Sequence, residues 1–243
     1  MAWSAKPRDG YAISSAEGTG NILEANGFMN DRGYALEAQA GLLGNVYAES
    51  QLNPWRWQAD SVDLVSRYKG YGLFQFTPAY DYFNLASQNI PGYGPNASVT
   101  VVQTTARPED GWAQFVVLDD DILGKWNSTC WVYGGYWDSV ESQYGWIRDT
   151  ILATYGSNNR LTLAQFKGIT AGAGGYSVQQ AITFATFAFV ACYERPTAEN
   201  IKLDIRNGYS NEIYPILSGD TPPSPPTPGI VKQHTMPFYL YFI

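Results

Sequence analysis

The chain has 243 residues, of which 45% are apolar, and its formal net charge is -7. This apolar content is sufficient for a globular core. Nucleic-acid binding needs a stripe of basic residues, and a chain with a pI of about 4.7 and no such stripe is not expected to have a nucleic-acid partner.

The sequence is poor in histidine, a side chain on which many hydrolases depend. The sequence has a single histidine, His234, whereas serine and cysteine hydrolases need a histidine base and zinc hydrolases need histidine ligands. Acid-base chemistry then falls to carboxylates, tyrosines or lysines, which favours cleavage of glycosidic bonds over cleavage of peptides. We expect no metal ion, no cofactor and no membrane span, because no apolar segment reaches roughly 20 residues. Cys130 and Cys192 favour buried free thiols, with one bridge between them as the alternative.

The first strong pattern is a helix that ends near residue 50. Residues 1–17 have no clear period and are interpreted as a leader, followed by a short helix over 21–25. Apolar residues at helical spacing then predict a longer helix, with Asn30 or Asp31 as its cap. Proline disfavours the helical conformation of the preceding residue, so the pair at 53–54 should end the helix near Ser50.

Glu49 therefore falls in the last turn of this helix. The negative end of the helix dipole destabilises a carboxylate there. Exclusion of water by Tyr47, Leu52, Trp55 and Trp57 would add to that effect, so that the carboxyl keeps its proton as a general acid must. A solvated glutamate at a helix end is an equally good interpretation of these residues alone.

The sequence Gly-Tyr-Gly-Leu-Phe-Gln-Phe at 70–76 predicts a strand, because glycines flank an apolar run. Gln75 would hydrogen-bond an amide or hydroxyl of a ligand, with bonding to the backbone as the alternative. Thr77 would cap the next helix and Pro78 would take its first position.

Further elements follow in order. Residues 91–107 predict a loop, and helices are expected over 109–123, 146–152, 161–167 and 178–193, the last capped by Ser177. Aromatic residues crowd the segment 126–156 at a density typical of carbohydrate sites, although core packing is the commoner use. A proline-rich stretch divides the chain into a domain at 1–217, a linker at 218–229 and an apolar tail at 230–243, interpreted as an assembly contact or the start of a further domain.

Three motifs occur in order: Gly-Leu-Leu-Gly-Asn-Val-Tyr-Ala-Glu-Ser at 41–50, Tyr-Gly-Leu-Phe-Gln-Phe-Thr-Pro at 71–78 and Cys-Tyr-Glu-Arg-Pro at 192–196. Over roughly residues 18–200 the chain resembles phage tail lysozyme domains of the lysozyme and lytic transglycosylase superfamily. The resemblance implies a mainly α fold, of the lysozyme-like α+β type, in which a helical domain carries a small β-sheet or hairpin beside the active-site cleft.

The resemblance also implies a function. The domain would cleave the β-1,4 bond between N-acetylmuramic acid and N-acetylglucosamine in bacterial peptidoglycan, with Glu49 as the general acid. It would lie in the virion tail, contact other phage tail proteins and act at the cell wall while phage DNA passes into the cell. The cleft residues that we expect to contact the glycan are Ser50, Trp55, Trp57, Tyr71, Gln75 and Thr77. For the two tryptophans, core packing is an equal alternative. Glu194 is expected to pair with a basic residue or backbone amides near the Glu49 helix and to hold the fold together.

The second catalytic group stays open. Where animal lysozymes carry a catalytic aspartate, this chain has Gly70, so a retaining mechanism lacks its obvious partner. Asp60 and Asp63 are the nearest candidates to activate a water, at roughly 6.5–9.5 Å from Glu49 in an inverting enzyme. Alternatively, the glycan's own hydroxyl closes onto the anomeric carbon, as in lytic transglycosylases. A soluble endolysin and a non-catalytic wall-binding or tail-plug module are the competing functions.

Overall fold

The computed structural model describes residues 3–6, 9–58, 69–89, 109–131 and 134–220. Asp60, Asp63, the predicted loop at 91–107, residues 221–229 of the predicted linker and the predicted tail at 230–243 lie outside these ranges. The described part is mainly helical, as predicted. Its α-helices are α1 (Ala16–Asn30), α2 (Leu36–Ser50), α3 (Ala79–Asn89), α4 (Glu109–Thr129), α5 (Gly134–Thr154), α6 (Leu163–Lys167), α7 (Val178–Phe189) and α8 (Leu203–Ser218).

Three shorter turns complete the described helical structure. Ala173–Gly175 and Ala198–Asn200 form 3-10 turns, and α7 continues as a π-helical turn over Val190–Glu194. Ser177 caps α7 as predicted. Its hydroxyl accepts a hydrogen bond from the Gln180 N–H, and Gln180 Oε1 accepts one from the Ser177 N–H. The predicted helix over 178–193 is thus one segment with a change of hydrogen bonding at Val190.

The described residues of the N-terminal segment, which was interpreted as a leader, pack against the rest of the fold. Trp3 and Ile13 are buried in the core, and Ser15 caps α1, which is much longer than the predicted helix over 21–25. The predicted cap of α2 is also wrong, because Asn30 ends α1 and the residue before α2 is Ala35, which makes no side-chain cap. The end of α2 at Ser50 agrees with the prediction.

The predicted strand at 70–76 is wrong, and the described residues contain no strand that would form the expected small sheet. Isolated bridges join Tyr71 to Trp57 and to Phe76. Between them the chain reverses through Gly72 and Gln75, which have φ of 81° and 47°. Glycine accepts such a left-handed conformation readily, so the segment closes into a tight turn before a strand can extend.

Cys130 and Cys192 form a disulfide that links the residue after α4 to the π-helical turn, and both residues are fully buried. The expectation of free thiols is therefore wrong, and the alternative of one bridge is the structure observed. Within the described ranges, no helix is long and apolar enough to cross a membrane.

Helix α2 is the centre of the packing and contacts α7 and α8 most extensively. Two glycines on α2 allow this approach. A Cβ on Gly41 would lie 2.6 Å from the Ala185 backbone carbon in α7, and a Cβ on Gly44 would lie 2.7 Å from the Arg206 carbonyl oxygen in α8. Both distances are too short for real carbon contacts, so the backbones of the three helices meet where side chains are missing.

Substitution of Gly44→Ala should destabilise the fold by about 1–3 kcal/mol, because the added methyl forces α8 away from α2. The matched control is Gly27→Ala in α1, where nothing lies within 4 Å of the new Cβ; it should be neutral or stabilising by up to about 1 kcal/mol. Chemical denaturation of both variants measures the difference. Equal stabilities would show that close helix approach at Gly44 is not required.

Candidate active site

Glu49 lies in the last turn of α2, as predicted. The helix ends because Gln51 adopts a left-handed conformation with φ of 51°, and its N–H donates to the Tyr47 carbonyl at 2.9 Å. The Glu49 side chain is 20% exposed. A ligand can therefore reach a carboxyl that the surrounding helices otherwise hold in place.

The group in contact with Glu49 is a cation. Arg206 Nη2 donates to Glu49 Oε1 at 2.7 Å, and the Arg206 side chain is only 7% exposed. We expected apolar neighbours and the helix end to keep this carboxyl protonated. The structure instead places a guanidinium against it, in a charge-assisted hydrogen bond. The sequence interpretation of the site therefore missed its closest partner.

Arg206 is held independently of Glu49. Its Nη1 donates to Asn45 Oδ1 at 2.9 Å, and its Nε donates to the Ile201 carbonyl at 3.1 Å. Asn45 is itself fixed, because its amide nitrogen donates to the carbonyls of Gly41 at 2.8 Å and Thr186 at 3.1 Å. The guanidinium thus bridges α2 and α8 whether or not the carboxylate is charged.

A second hydrogen-bond pair joins α7 to α8 beside this bridge. The hydroxyls of Thr186 and Ser210 lie 2.9 Å apart, and Ser210 Oγ donates to the Arg206 carbonyl at 3.0 Å. Both residues are fully buried. Buried polar groups that are all hydrogen-bonded specify one relative placement of the helices, here the one that brings Arg206 to Glu49.

A cluster of titratable side chains lies along the same α2–α8 contact. The rings of Tyr47 and Tyr209 are 4.5 Å apart. Burial raises the pKa of Tyr47, and Tyr209 and Glu212 raise it further. Burial also raises the pKa of Tyr209, with Glu212 adding to the effect, and burial raises the pKa of the Glu212 carboxyl. The phenols therefore stay neutral at physiological pH and contribute no negative charge near the Arg206–Glu49 pair.

Gln114 fixes the loops that follow α2. This fully buried side chain in α4 accepts the Leu73 N–H at 2.6 Å and donates to the Pro54 carbonyl at 2.7 Å. It therefore clamps the loop at 53–58 to the turn at 70–76. A buried amide that satisfies one donor and one acceptor at once gives both loops a fixed position relative to α4.

Three of the predicted glycan-contacting residues are buried, so the prediction is not supported for them in this structure. Tyr71 is 0% exposed and its ring packs 5.1 Å from Phe83, while Trp55 is 6% exposed. Ser50 is 1% exposed and its hydroxyl donates to the Val46 carbonyl at 2.9 Å. Packing by α3 and by the core takes these side chains away from the surface.

The other three predicted contacts are at least partly exposed. The Gln75 amide donates to the Gly72 carbonyl at 2.8 Å and to the Arg56 carbonyl at 3.3 Å, which is the backbone-bonded alternative. Thr77 donates its hydroxyl to the Gln75 carbonyl at 2.9 Å. Trp57 is half-buried, with its ring 4.5 Å from that of Tyr71. Only these three of the six predicted glycan contacts are thus accessible to a ligand.

The remaining candidates are not decided by the described contacts. Glu194 ends the π-helical turn and is half-buried, and its expected pairing near α2 stays a prediction. Asp60 and Asp63 lie outside the described residues, so their distance to Glu49 stays open. Within the part of the chain that the structure describes, no group of three or more histidine, cysteine or acidic residues is placed to hold a metal ion.

The sequence profile of the phage tail lysozyme family matches residues 21–217, from within α1 to within α8. The chain belongs to the phage tail lysozyme family. The resemblance inferred from the three motifs is thereby confirmed. Membership implies a lysozyme-like role in the breakdown of peptidoglycan and a phage-associated location.

One similar protein is morphogenesis protein 1 of Bacillus phage B103, which is 38% identical over 77 residues. The shared stretch covers 32% of this chain and 20% of that protein. The match therefore spans about a fifth of the length of the relative. The similarity concerns this shared stretch alone.

Proposed function

We propose that this tail lysozyme is a virion-associated glycosidase that cleaves the β-1,4 bond between N-acetylmuramic acid and N-acetylglucosamine while phage DNA passes into the cell. The observation that carries the proposal is the position of Glu49. It is a partly exposed carboxyl at the end of a buried helix, held on one oxygen by a buried arginine, in a chain of the tail lysozyme family.

Glu49 acts as the general acid in this proposal. Arg206 binds Oε1, so we assign the proton that is donated to the glycosidic oxygen to Oε2. The guanidinium stabilises the carboxylate that forms when the proton leaves, which lowers the energy of the transition state. The carboxyl regains its proton from solvent between turnovers, through the exposed part of its side chain.

The group that completes the reaction is assigned by chemistry. Asp63, or else Asp60, would activate a water for attack on the anomeric carbon from the opposite face of the sugar. Gln75, Thr77 and Trp57 are the predicted glycan contacts that keep some exposure to solvent. No metal ion or cofactor takes part in the proposed reaction.

Substitution of Glu49→Gln should lower the rate of peptidoglycan cleavage by at least about a hundredfold, because the proton donor is removed. The melting temperature should change little, since the Gln oxygen still accepts from Arg206. Muropeptide analysis of purified cell walls measures the rate and the products.

New reducing ends on N-acetylmuramic acid from the unchanged protein support hydrolysis, whereas anhydro ends would assign the reaction to lytic transglycosylation with the same acid. Cleavage by Glu49→Gln at the original rate would contradict the role of Glu49. A well-folded unchanged chain that gives no products would instead favour a wall-binding module.

Placement in the virion tail has its own test. Antibodies against the folded chain, detected with gold particles, should label one end of the tail of intact phage particles. Preimmune serum on the same particles is the control. Label confined to the soluble fraction of infected cells, with unlabelled particles, would contradict tail placement and favour a free endolysin.

A further inference from the structure

The aromatic-rich segment 126–156 serves two purposes in the structure. Trp126 is fully buried and its indole N–H donates to the Leu161 carbonyl at 2.8 Å, as a core residue does. Trp146 is 65% exposed, compared with 49% for Tyr80 and for Trp112. An exposed indole contributes little to the stability of the fold, so core packing does not explain a tryptophan at position 146.

Trp146 lines a surface cleft of about 540 Å³ between α5, α7 and α8. Sites for small molecules typically measure roughly 300–1,000 Å³. Gln143, Tyr144 and Ile147 line the same cleft; Ile147 lies four and three positions after the other two, and residues at those spacings share one face of a helix. The opposite walls carry Thr183 of α7 and the pair Asp204 and Asn207 of α8.

The polar groups of this cleft, defined here as the α5–α8 cleft, are held in place. Thr183 Oγ1 lies 3.1 Å from Asn207 Oδ1, which orients the Asn207 amide across the α7–α8 contact. The Tyr144 ring packs 5.5 Å from that of Phe187. Burial raises the pKa of Tyr144 and the Asp204 carboxylate raises it further, so the phenol stays a neutral hydrogen-bond donor.

The chemistry of the α5–α8 cleft selects for neutral sugars. The eight lining residues in the described part of the chain include one carboxylate and no basic residue, which disfavours phosphate and other anions. An exposed indole offers a platform for the apolar face of a sugar ring. Amide, carboxylate and hydroxyl groups beside it match the hydroxyl and acetamido groups of an aminosugar.

The α5–α8 cleft is separate from the site at Glu49. Its lining residues come from α5, α7 and α8 and include neither Glu49 of α2 nor Arg206, which holds Glu49.

We propose that the α5–α8 cleft is a second glycan-binding site, which stacks a neutral aminosugar of peptidoglycan on Trp146 and holds the polymer while Glu49 cuts elsewhere along it. This inference rests on the proposed function for the identity of the polymer. Binding through a stem peptide is the competing source of affinity that the experiment separates.

The test uses the full chain with Glu49→Gln, so that the wall is not degraded during the measurement. Addition of Trp146→Ala should weaken co-sedimentation with purified peptidoglycan about tenfold, which corresponds to about 1.4 kcal/mol. The matched control is Trp112→Ala, which removes a 49% exposed tryptophan that lies outside the α5–α8 cleft and should leave binding unchanged. Glycan strands freed of stem peptides should compete with the wall for the parent variant.

Equal binding of the Trp146→Ala and parent variants, or competition by free stem peptides alone, would overturn the second glycan site. Circular dichroism and melting curves should match among all variants, because both tryptophans are exposed. The outcome is distinct from a failure of the proposed function. Undiminished cleavage by Glu49→Gln would refute the assigned acid, whereas the loss of binding on removal of Trp146 is read without any cleavage.

Discussion

The close approach of α2 to α7 and α8 is the constraint on which the site depends. Gly41 and Gly44 remove the side chains that would separate the backbones, and the helices meet at distances that no other residue permits. Asn45, one position further along α2, can then bond the α7 backbone and Arg206 of α8 together. The contact between Arg206 and Glu49 therefore depends on the close helix packing at Gly41 and Gly44.

The buried arginine gives this packing a chemical function. Burying a guanidinium costs free energy unless its donors are hydrogen-bonded. Arg206 donates to Asn45 and Glu49 of α2 and to the Ile201 carbonyl just before α8. Fold stability and the orientation of the proposed acid are therefore coupled. A change that separates α2 from α8 leaves a charge unpaired and misplaces the carboxyl.

Two local signals in the sequence predicted where helices begin and end. The Asn53–Pro54 pair located the end of α2 and thus Glu49, and Ser177 located the start of α7, because each acts on the backbone within a few residues. Asn45 and Glu49 are four positions apart and therefore lie on one face of α2, which the sequence alone already implies.

Long-range features were out of reach of the sequence. Arg206 lies 157 positions from Glu49, and no pattern around α8 marks it as the partner. The disulfide joins cysteines 62 positions apart. The segment 70–76 was predicted as a strand because the sequence does not reveal the left-handed φ angles that make it a turn. Tyr71 was predicted to line a cleft, whereas the structure packs its ring against α3.

A double-mutant cycle on Glu49 and Arg206 tests the central claim, that the arginine acts in catalysis only through the carboxyl that it holds. Cleavage rates are measured for Arg206→Lys, Glu49→Gln and the double variant, with folding of each verified by its melting curve. The account predicts that Arg206→Lys slows the unchanged enzyme and has no further effect once Glu49 is Gln. An equal slowing in both backgrounds would contradict it.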